Sequence, residues 1–470
     1  MADDKVFNDL LLACRLGDIE SVDKLLSTGV NVNQVDKFDY TPLFLSSLCG
    51  HEPIVRLLLQ RGAICDTDKY EGARCIYGAL TDRIRNLLIS YDISKAVYSN
   101  LPFASHLRSL LGGSTLLTED IVFEIENTRL KLHRFLLSSR SEYFREKLEN
   151  SWRDKEMVSL TQQSDYDAFS VVVDYIYLHH DPKKFENVDN KLLLAYGKKI
   201  KLPQFVKIIE ELIEIGNDSK AKAKLMNEFQ MRMFESARDN FKKLVENGII
   251  GQKVTIDSND KINEEQIKRF QNSNAYPDII LSVEELGETT YYPVHRSILI
   301  RDEYFKVMFS SSFSESQVYE VSEKYDIIDR SVTIPIIHLP VSSTAVAEII
   351  IKFLYYDHAD IPLEHAIDVL FAGDLLLNER LKTMAAVTLT TSEKIPEGYD
   401  LFDILRAGWE TRVDRLEHYV ARVIANDLDK FMKDPDFSSI VLESSERIQE
   451  RQETDTIELI DDIRFYLAKK

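Results

Sequence analysis

The feature that most constrains the fold is an internal duplication, in which one short pattern occurs twice about 160 residues apart. In each copy an Asp opens an alternating apolar segment, a His precedes a longer apolar segment, and a Tyr-Phe pair follows. These residues are Asp120, His133, Tyr143 and Phe144 in the first copy, and Asp278, His295, Tyr304 and Phe305 in the second. We therefore expect two domains of one fold within a chain of 470 residues, a length that suits about three domains.

The hydrophobic period changes from strand to helix within each copy. Apolar residues alternate at 121–125 and at 279–283, which predicts a β-strand, and a second short strand follows after a turn. Beyond the His the apolar residues take helical spacing, interrupted by a further short strand at 157–160 and at 336–339. This order predicts two mixed α+β domains.

A shorter repeat occupies the first ninety residues, where residues 17–29 match residues 50–62 at a constant offset of 33. With Thr41-Pro42 opening the second unit, this period resembles the ankyrin repeat, in which pairs of helices stack. Thr41 is expected to cap its helix, and Gly17 and Gly50 are expected to break the chain between paired helices.

A third repeat unit, at about residues 72–89, is degenerate. We count about three repeats, the minimum for a stable array. The array is interpreted either as a partner-binding surface on hairpin tips and helix faces or as a structural cap for the neighbouring domain.

The duplicated pattern resembles the BTB domain, also called POZ. Ankyrin repeats followed by two such domains resemble the ankyrin-and-BTB protein family over most of the chain, which implies a multidomain α+β protein. The expected organisation is ankyrin repeats at 1–95, a first BTB domain at 96–215, an amphipathic helical linker at 216–262, a second BTB domain at 263–395 and a BACK-like helical region at 396–470.

Two departures from the BTB pattern distinguish the copies. The first copy has Phe135-Leu136-Leu137 where an Ala- or Ser-led helix start is usual. The second copy has 18 extra residues between its Tyr-Phe pair and its third strand, at about 316–333, and their polar composition predicts a solvated loop.

Composition argues against several functional classes. A net charge of −20 argues against nucleic-acid binding, which needs clustered Lys and Arg. The N-terminus lacks a basic region followed by an apolar run, and no apolar stretch approaches the ~18 residues of a membrane span. We therefore expect a soluble intracellular protein, cytoplasmic with the nucleus as a second location. The four cysteines form no CxxC pair, and we expect no metal and no cofactor.

The Asp and His of each copy, beside Ser138 or Ser297, have the residue types of a hydrolase triad. However, the chain has no GxSxG nucleophile elbow, and the segments that carry these serines are apolar on both sides, so we expect no catalytic residue. We expect the Asp and His to be buried polar residues that are satisfied by backbone groups and fix the hairpin against the helix.

The BTB resemblance also implies a partner. In BTB families that serve cullin-3 RING ubiquitin ligases, an apolar residue, any residue and a Glu follow the Tyr-Phe helix and pack on the cullin. The candidates are Phe313-Ser314-Glu315 in the second copy and, as a weaker match, Trp152-Arg153-Asp154 in the first. The alternative for both is an ordinary loop residue that covers the core of its own domain.

BTB domains also pair through an apolar helix face, and two copies in one chain allow either an internal pseudo-dimer or pairing between chains. Residues 216–253 have apolar residues at 3-4 spacing and predict a long amphipathic helix. This helix either binds a partner in a groove or docks on the neighbouring BTB helices.

Together these features predict a non-enzymatic substrate adaptor that links a client protein to a cullin-3 ligase, with the ankyrin repeats as the client-binding surface. The family resemblance implies translation elongation factor 1-alpha as a client, and BTB-mediated self-association. The alternative is a scaffold or transcriptional co-regulator that acts by BTB pairing without ubiquitin transfer. Neither nucleic acid nor a membrane is expected as a partner.

Overall fold

A computed structural model describes most of the chain. The described residues are 2–26, 30, 32–60, 63, 70–90, 102–112, 116–125, 128–160, 166–179, 184–185, 187–216, 219–310, 321–322, 324–331, 333–391, 395–447 and 457–468. Apart from the short stretch Thr67–Tyr70, contacts divide the chain into one compact unit that extends to Ala359 and another that begins at Asp360. The described part is mainly helical with three small β-sheets, and the expected α+β multidomain architecture is confirmed.

Stacked helices form the N-terminal part of the first unit. They are α1 (Ala2–Leu16), α2 (Ile19–Leu26), α3 (Pro42–Cys49), α4 (Glu52–Gln60), α5 (Tyr70–Tyr77) and α6 (Asp82–Ser90). As predicted, Thr41 caps α3 because its Oγ1 accepts the Phe44 backbone N–H at 3.0 Å. Gly17 and Gly50 lie between paired helices with left-handed φ values of 82° and 83°. The apolar helix faces share one continuous core, as stacked repeats require.

The first copy of the duplicated domain consists of a three-stranded sheet and its helices. Its elements are α7 (Pro102–Ser109), β1 (Ile121–Ile125), β2 (Thr128–Leu132), α8 (Arg134–Arg140), α9 (Glu142–Glu149), β3 (Met157–Ser159), α10 (Tyr166–Ile176), α11 (Asn190–Lys199) and α12 (Pro203–Ile215). The strand order is β2-β1-β3, with β1 antiparallel to β2 and parallel to β3. Ile121, Phe123 and Ile125 are buried, as their alternation predicts.

A long helix, α13 (Ser219–Leu244), joins the copies and ends in a π-helical turn at Val245–Ile249 and a 3₁₀ turn at Ile250–Gln252. The predicted long amphipathic helix is therefore present. Its buried residues Phe229, Met233 and Phe241 recur at helical spacing, and the helix packs on α8 and α12 of the first copy and on the last helix of the second.

The second copy repeats the arrangement and adds to it. Its elements are β4 (Val254–Asp257), α14 (Glu264–Gln271), β5 (Ile279–Glu285), β6 (Glu288–Val294), α15 (Arg296–Leu299), α16 (Glu303–Ser310), β7 (Val321–Ser322), β8 (Ile327–Ile328), β9 (Ile336–His338) and α17 (Thr344–Tyr356). The sheet order is β4-β6-β5-β9, with β5 parallel to β9, as β1 is to β3. The edge strand β4 lies in the stretch that the sequence assigned to the linker.

Helices form the second compact unit. They are α18 (Ala366–Leu375), α19 (Glu379–Thr390), α20 (Leu401–Thr411), α21 (Asp414–Asn426), α22 (Leu428–Phe431), α23 (Pro435–Glu446) and α24 (Glu458–Ala468). Gly408 allows α20 and α21 to approach closely, since a Cβ there would lie 2.9 Å from the Leu416 Cβ. Because this unit begins at Asp360, its contacts group α18 and α19 with the C-terminal helices.

Candidate protein-interaction site

A His and a Tyr form the same buried pair in both copies. The backbone N–H of His133 donates to the Tyr177 hydroxyl at 2.9 Å, and the His133 Nδ1 lies 3.0 Å from the same oxygen. In the second copy, His295 makes these two contacts with the Tyr355 hydroxyl at 2.9 and 2.6 Å. In the second copy the Nε2 atom faces the Ala275 carbonyl oxygen, which can only accept, so His295 carries its proton on Nε2 and its Nδ1 accepts from the Tyr355 hydroxyl. In each copy the tyrosine therefore fixes the position of the His, which directly precedes the next helix.

The Nε2 atom of each imidazole also has a partner. In the first copy it lies 3.0 Å from Thr118 Oγ1, and in the second it donates to the Ala275 carbonyl oxygen at 2.6 Å. Burial lowers the pKa of His133 and of His295 to about 3, so both rings are neutral at physiological pH. Both nitrogens of each ring are engaged in framework hydrogen bonds, which gives these histidines a structural role.

An Asp carboxylate holds the start of the same helix in each copy. Asp120 Oδ1 accepts the Arg134 backbone N–H at 2.7 Å, and Asp278 Oδ1 accepts that of Arg296 at 2.7 Å. Burial raises the pKa of both carboxyls, that of Asp278 to about 6, although guanidinium groups nearby oppose the rise. The predicted backbone partners are present for both Asp carboxylates and for Nε2 of His295. The prediction is wrong for the other ring nitrogens, because both nitrogens of His133 and Nδ1 of His295 face side-chain hydroxyls.

The two copies pair with each other inside the chain. The Phe135 ring stacks on the His295 imidazole, with centroids 4.0 Å apart and planes tilted by 21°. From α7, the His106 Nε2 donates to the Ser297 carbonyl oxygen at 2.6 Å, and burial lowers the pKa of His106 to about 4. The structure therefore shows an internal pseudo-dimer, one of the two arrangements that the sequence left open.

Arg134 and Arg296, which come directly after the two histidines, bind different partners. Arg134 is 3% exposed and donates to the carbonyl oxygens of Trp152 and Arg153, both at 3.1 Å, so it holds a loop of its own copy. Arg296 donates to the carbonyl oxygen of Leu117 in the first copy. Neither arginine was predicted to have a role, although each lies directly after the His of its copy.

The insertion of the second copy belongs to the same interface. Its described residues include the β7–β8 hairpin, and the Ile328 N–H donates to the Glu119 carbonyl oxygen of the first copy at 2.8 Å. Arg330 Nη1 lies 3.8 Å from Asp120 Oδ2. The expectation of a solvated loop at 316–333 is wrong for this part, because the Ile328 side chain is buried and the hairpin backbone pairs with the first copy.

The long helix α13 contacts both copies. Phe229 stacks on Tyr175 of the first copy, with centroids 6.0 Å apart. Arg238 Nε donates to the Tyr356 carbonyl oxygen, at the end of α17 in the second copy, at 3.2 Å. The helix thus docks on neighbouring helices, which was one of its two interpretations.

Comparison with known proteins agrees with this architecture. A sequence model of the BTB/POZ domain matches residues 114–215 and 267–393, and a model of ankyrin repeats in three copies matches residues 10–97. The ankyrin repeat-containing protein YIL001W of Saccharomyces cerevisiae is 44% identical over 473 aligned residues, covering 99% of this chain and 90% of the relative. The BTB/POZ domain-containing protein 3 of Schizosaccharomyces pombe is 37% identical over 473 aligned residues, covering 100% of this chain and 83% of the relative. The chain belongs to the family of ankyrin-repeat proteins with BTB/POZ domains.

Membership of this family indicates the general kind of function. BTB and ankyrin domains are typically non-enzymatic interaction domains, and no catalytic family is indicated. The protein therefore acts on other proteins as an adaptor or scaffold.

Of the two cullin candidates, the structure describes the one in the first BTB domain. Phe313–Glu315 lies outside the described residues. Trp152 is 8% exposed and meets the Phe123 ring edge to face at 5.5 Å within the core of its own domain. Arg153 and Asp154 are exposed. In the first domain only the two polar residues of the triplet face solvent.

The helix that leads to residues 313–315 differs from its counterpart in the first domain. Val307 of α16 is 51% exposed. At the equivalent position of α9, Glu146 forms an ion pair with Lys201, with Oε1 and Nζ 2.7 Å apart. Of these two helices, only α16 presents an apolar side chain to solvent at this position.

An aromatic side chain stands at a hairpin tip of the ankyrin array. Phe38 is 60% exposed. Its turn is closed by Asp36, whose Oδ1 accepts the backbone N–H groups of Phe38 and Tyr40 at 2.8 and 2.9 Å. An exposed ring on a turn held by hydrogen bonds is a candidate anchor for a partner protein.

Metal-ligating residue types do not cluster in the described part of the chain. Among those residues, no group of three or more His, Cys, Asp or Glu residues is placed to hold a metal ion, and no helix is long and apolar enough to cross a membrane. Cys14, Cys49 and Cys75 have free thiols, while Cys65 lies outside the described residues. Burial raises the pKa of Cys14 to about 11, which keeps this thiol protonated and unreactive.

Proposed function

We propose that this protein is a substrate adaptor that links a client protein to a cullin-3 RING ubiquitin ligase. The observation that carries the proposal is the asymmetry of the internal BTB pair. Pairing engages both domains, yet only the second combines the exposed Val307 with a Phe-x-Glu segment at 313–315. An asymmetric pair offers one ligase-binding edge per chain.

The proposed ligase contact has the chemistry of an interface anchor. Phe313 would enter an apolar pocket on the cullin, and Glu315 would face the basic rim of that pocket. Val307, in the helix just before this segment, would extend the apolar contact. In the first domain the corresponding aromatic residue, Trp152, is engaged in the domain core, which supports assigning the contact to the second domain.

The ankyrin array is proposed to bind the client, with Phe38 at the hairpin tip as an anchor. The family resemblance makes translation elongation factor 1-alpha the first client to test, and cytoplasm with access to the nucleus the location. The adaptor would act by effective concentration, since holding the client beside the ligase makes ubiquitin transfer quasi-intramolecular. No residue of the adaptor then needs to touch the bond that forms.

Isothermal titration calorimetry with the purified N-terminal region of cullin-3 tests the ligase contact. We expect Phe313→Ala combined with Glu315→Ala to weaken binding at least tenfold, because an interface anchor contributes about 2 kcal/mol or more. The matched control is Arg153→Ala combined with Asp154→Ala. These are the two exposed residues of the first domain's triplet, and their replacement should leave the affinity for cullin-3 unchanged.

The outcomes separate the ligase proposal from its rival. If the unaltered protein does not bind cullin-3, the ligase role fails and a scaffold or transcriptional co-regulator is favoured. If the control pair weakens binding and the Phe313 pair does not, the contact lies on the first domain. The client surface is tested separately, by co-precipitation of elongation factor 1-alpha with the unaltered protein and with Phe38→Ser.

A further inference from the structure

An open cleft of about 580 Å³ lies where the first BTB domain, the end of α13 and residues 272–275 meet. Its wall includes Arg145 and Lys243, four asparagines and three serines, and no Asp or Glu among the described residues. In a chain with a net charge of −20, this is a local concentration of positive charge and neutral hydrogen-bond donors. The two cationic side chains and the amide and hydroxyl donors of this wall can bind an anion.

A buried cation stands next to this wall without a carboxylate partner. Arg140 is 5% exposed, and its Nη1 donates to Asn240 Oδ1 at 2.9 Å and to Ser236 Oγ at 3.4 Å. Its Nη2 donates to the Tyr175 carbonyl oxygen at 3.5 Å. Its Nε has no hydrogen-bond partner, and none of the partners found for this guanidinium in the described chain is an acid. Because a buried charge is costly without a counterion, an anion nearby would be stabilising.

Asn240 connects the buried cation to the cleft. Since its Oδ1 accepts from Arg140, the Nδ2 group of the same amide remains as a donor on a residue that lines the cleft. Ser273, contributed by the second domain, also lines the cleft, and its buried Oγ has no hydrogen-bond partner among the described residues. The cleft therefore combines two cationic donors with neutral donors from both sides of the internal pair.

Side-chain amides cover carbonyl groups at the end of α13, which forms part of the cleft wall. Carbonyl groups at a helix C-terminus repel anions. Here Asn247 Nδ2 donates to the Lys243 carbonyl oxygen at 3.1 Å, and Gln252 Nε2 donates to the Asn247 carbonyl oxygen at 3.4 Å. Asn247 lies in the π-helical turn at Val245–Ile249 and Gln252 in the 3₁₀ turn that follows it, and π turns are frequent at functional sites.

We propose that this cleft binds a phosphate monoester. A phosphate group has close to two negative charges and three acceptor oxygens, which match one guanidinium, one ammonium and several amide and hydroxyl donors. The same group occurs on a phosphorylated serine of a protein and on a free small metabolite, and the experiment separates these sources. The proposal does not depend on the ligase role, because the described residues that line the cleft are not the ones proposed to bind the cullin.

Two probes test the proposal on the full chain. One is a short fluorescein-labelled peptide with one phosphoserine, compared with its unphosphorylated form by fluorescence anisotropy, and the other is glycerol 3-phosphate, measured by calorimetry. We expect Arg145→Gln combined with Lys243→Gln to weaken binding at least tenfold. The matched control, Lys155→Gln combined with Lys242→Gln, removes the same charge from exposed positions outside the cleft and should change the Kd less than twofold.

Asn240→Asp gives a second and sharper test. The change keeps the side-chain shape, adds a carboxylate that pairs with Arg140, and repels phosphate. We expect it to abolish probe binding and to raise the melting temperature, so lost binding cannot be attributed to misfolding. Binding of the peptide alone would assign the site to a phosphoprotein, and binding of glycerol 3-phosphate alone would assign it to a metabolite. The proposal is overturned if neither probe binds at millimolar concentration, or if either altered protein binds as the unaltered one does.

Discussion

Replacing Phe135 by Ala should open the internal BTB pair. The ring is 4% exposed, stacks on His295 at 4.0 Å and meets His133 edge to face at 6.0 Å. Truncating a buried Phe costs about 3–5 kcal/mol, of which each aromatic pair accounts for about 0.5–1.5 kcal/mol. That cost is a large share of the roughly 5–15 kcal/mol that stabilises a typical domain. Because Phe135 bridges the two domains, the loss should fall first on the contact between them.

Hydrogen–deuterium exchange read by mass spectrometry locates this opening. In Phe135→Ala we expect faster exchange at residues 295–299 and 327–330 of the second domain, and in α7. Phe205→Ala is the matched control, since it removes a fully buried ring that contacts Tyr175 inside the first domain, with centroids 5.1 Å apart. Phe205→Ala should speed amide exchange around α12 and leave the exchange rates in the second domain unchanged. An identical exchange pattern in the two variants would refute the internal pairing.

Three further predictions concern charge and local stability. Between pH 7 and pH 5.5 the first compact unit should lose about 3 kcal/mol of stability, measured as a shift of the urea midpoint. The reason is that His106, His133 and His295, with pKa values of about 4, 3 and 3, stay neutral in the folded state, whereas in the unfolded state, with a pKa near 6.5, they take up protons as the pH falls. Asp278 offsets less than 1 kcal/mol of this loss. Its carboxyl, with a raised pKa of about 6, takes up a proton in the folded state within this pH range, whereas in the unfolded state it stays ionised. Thr41→Ala should destabilise the ankyrin array by about 1 kcal/mol, because α3 loses its N-terminal cap. The loss should appear as a lower melting temperature by circular dichroism. Thr41→Ser should retain most of the stability, because the serine hydroxyl can also cap the helix. Arg330→Gln should cost about 1–3 kcal/mol and raise the pKa of Asp120 further, since it removes one of two guanidinium groups near that buried carboxylate, whereas the same change at the exposed Lys324 should have no measurable effect.

The two duplicated domains were predictable because their marker residues act locally. Asp120 and Asp278 each bind the backbone of an Arg fourteen or eighteen positions later, and each His bonds to a Tyr of its own domain. Contacts of this kind recur wherever the local sequence recurs. The pattern of residues was therefore sufficient to predict the domains and their buried framework.

The sequence predicted BTB pairing but left open whether it is internal or between chains, because the contacts that decide this join residues far apart in the chain. Both departures from the BTB pattern nevertheless lie at this interface, Phe135 by stacking on His295 and the insertion by pairing Ile328 with Glu119. An apolar residue that departs from the usual pattern of a domain is thus a signal for a contact outside that domain. The adjacent Ile327 and Ile328 were such a signal within a polar segment.

The surroundings of Trp152 also could not be predicted without the tertiary structure. An aromatic residue beside an acid is equally compatible with an interface anchor and with a core residue that precedes a polar turn. Burial of Trp152 against Phe123 and the Arg134 contacts to its loop depend on how the sheet and α9 meet. The sequence of the triplet alone does not indicate whether its aromatic side chain is buried.

The mass and stoichiometry of the complex with the cullin-3 N-terminal region test the central claim most directly. Size-exclusion chromatography with multi-angle light scattering should show the free protein as a single chain of 54.3 kDa, because its BTB domains pair internally. With cullin added, we predict one cullin per chain, bound through the second domain and lost in Phe313→Ala combined with Glu315→Ala. A dimer of chains that carries two cullins, or the absence of any complex, would contradict the account.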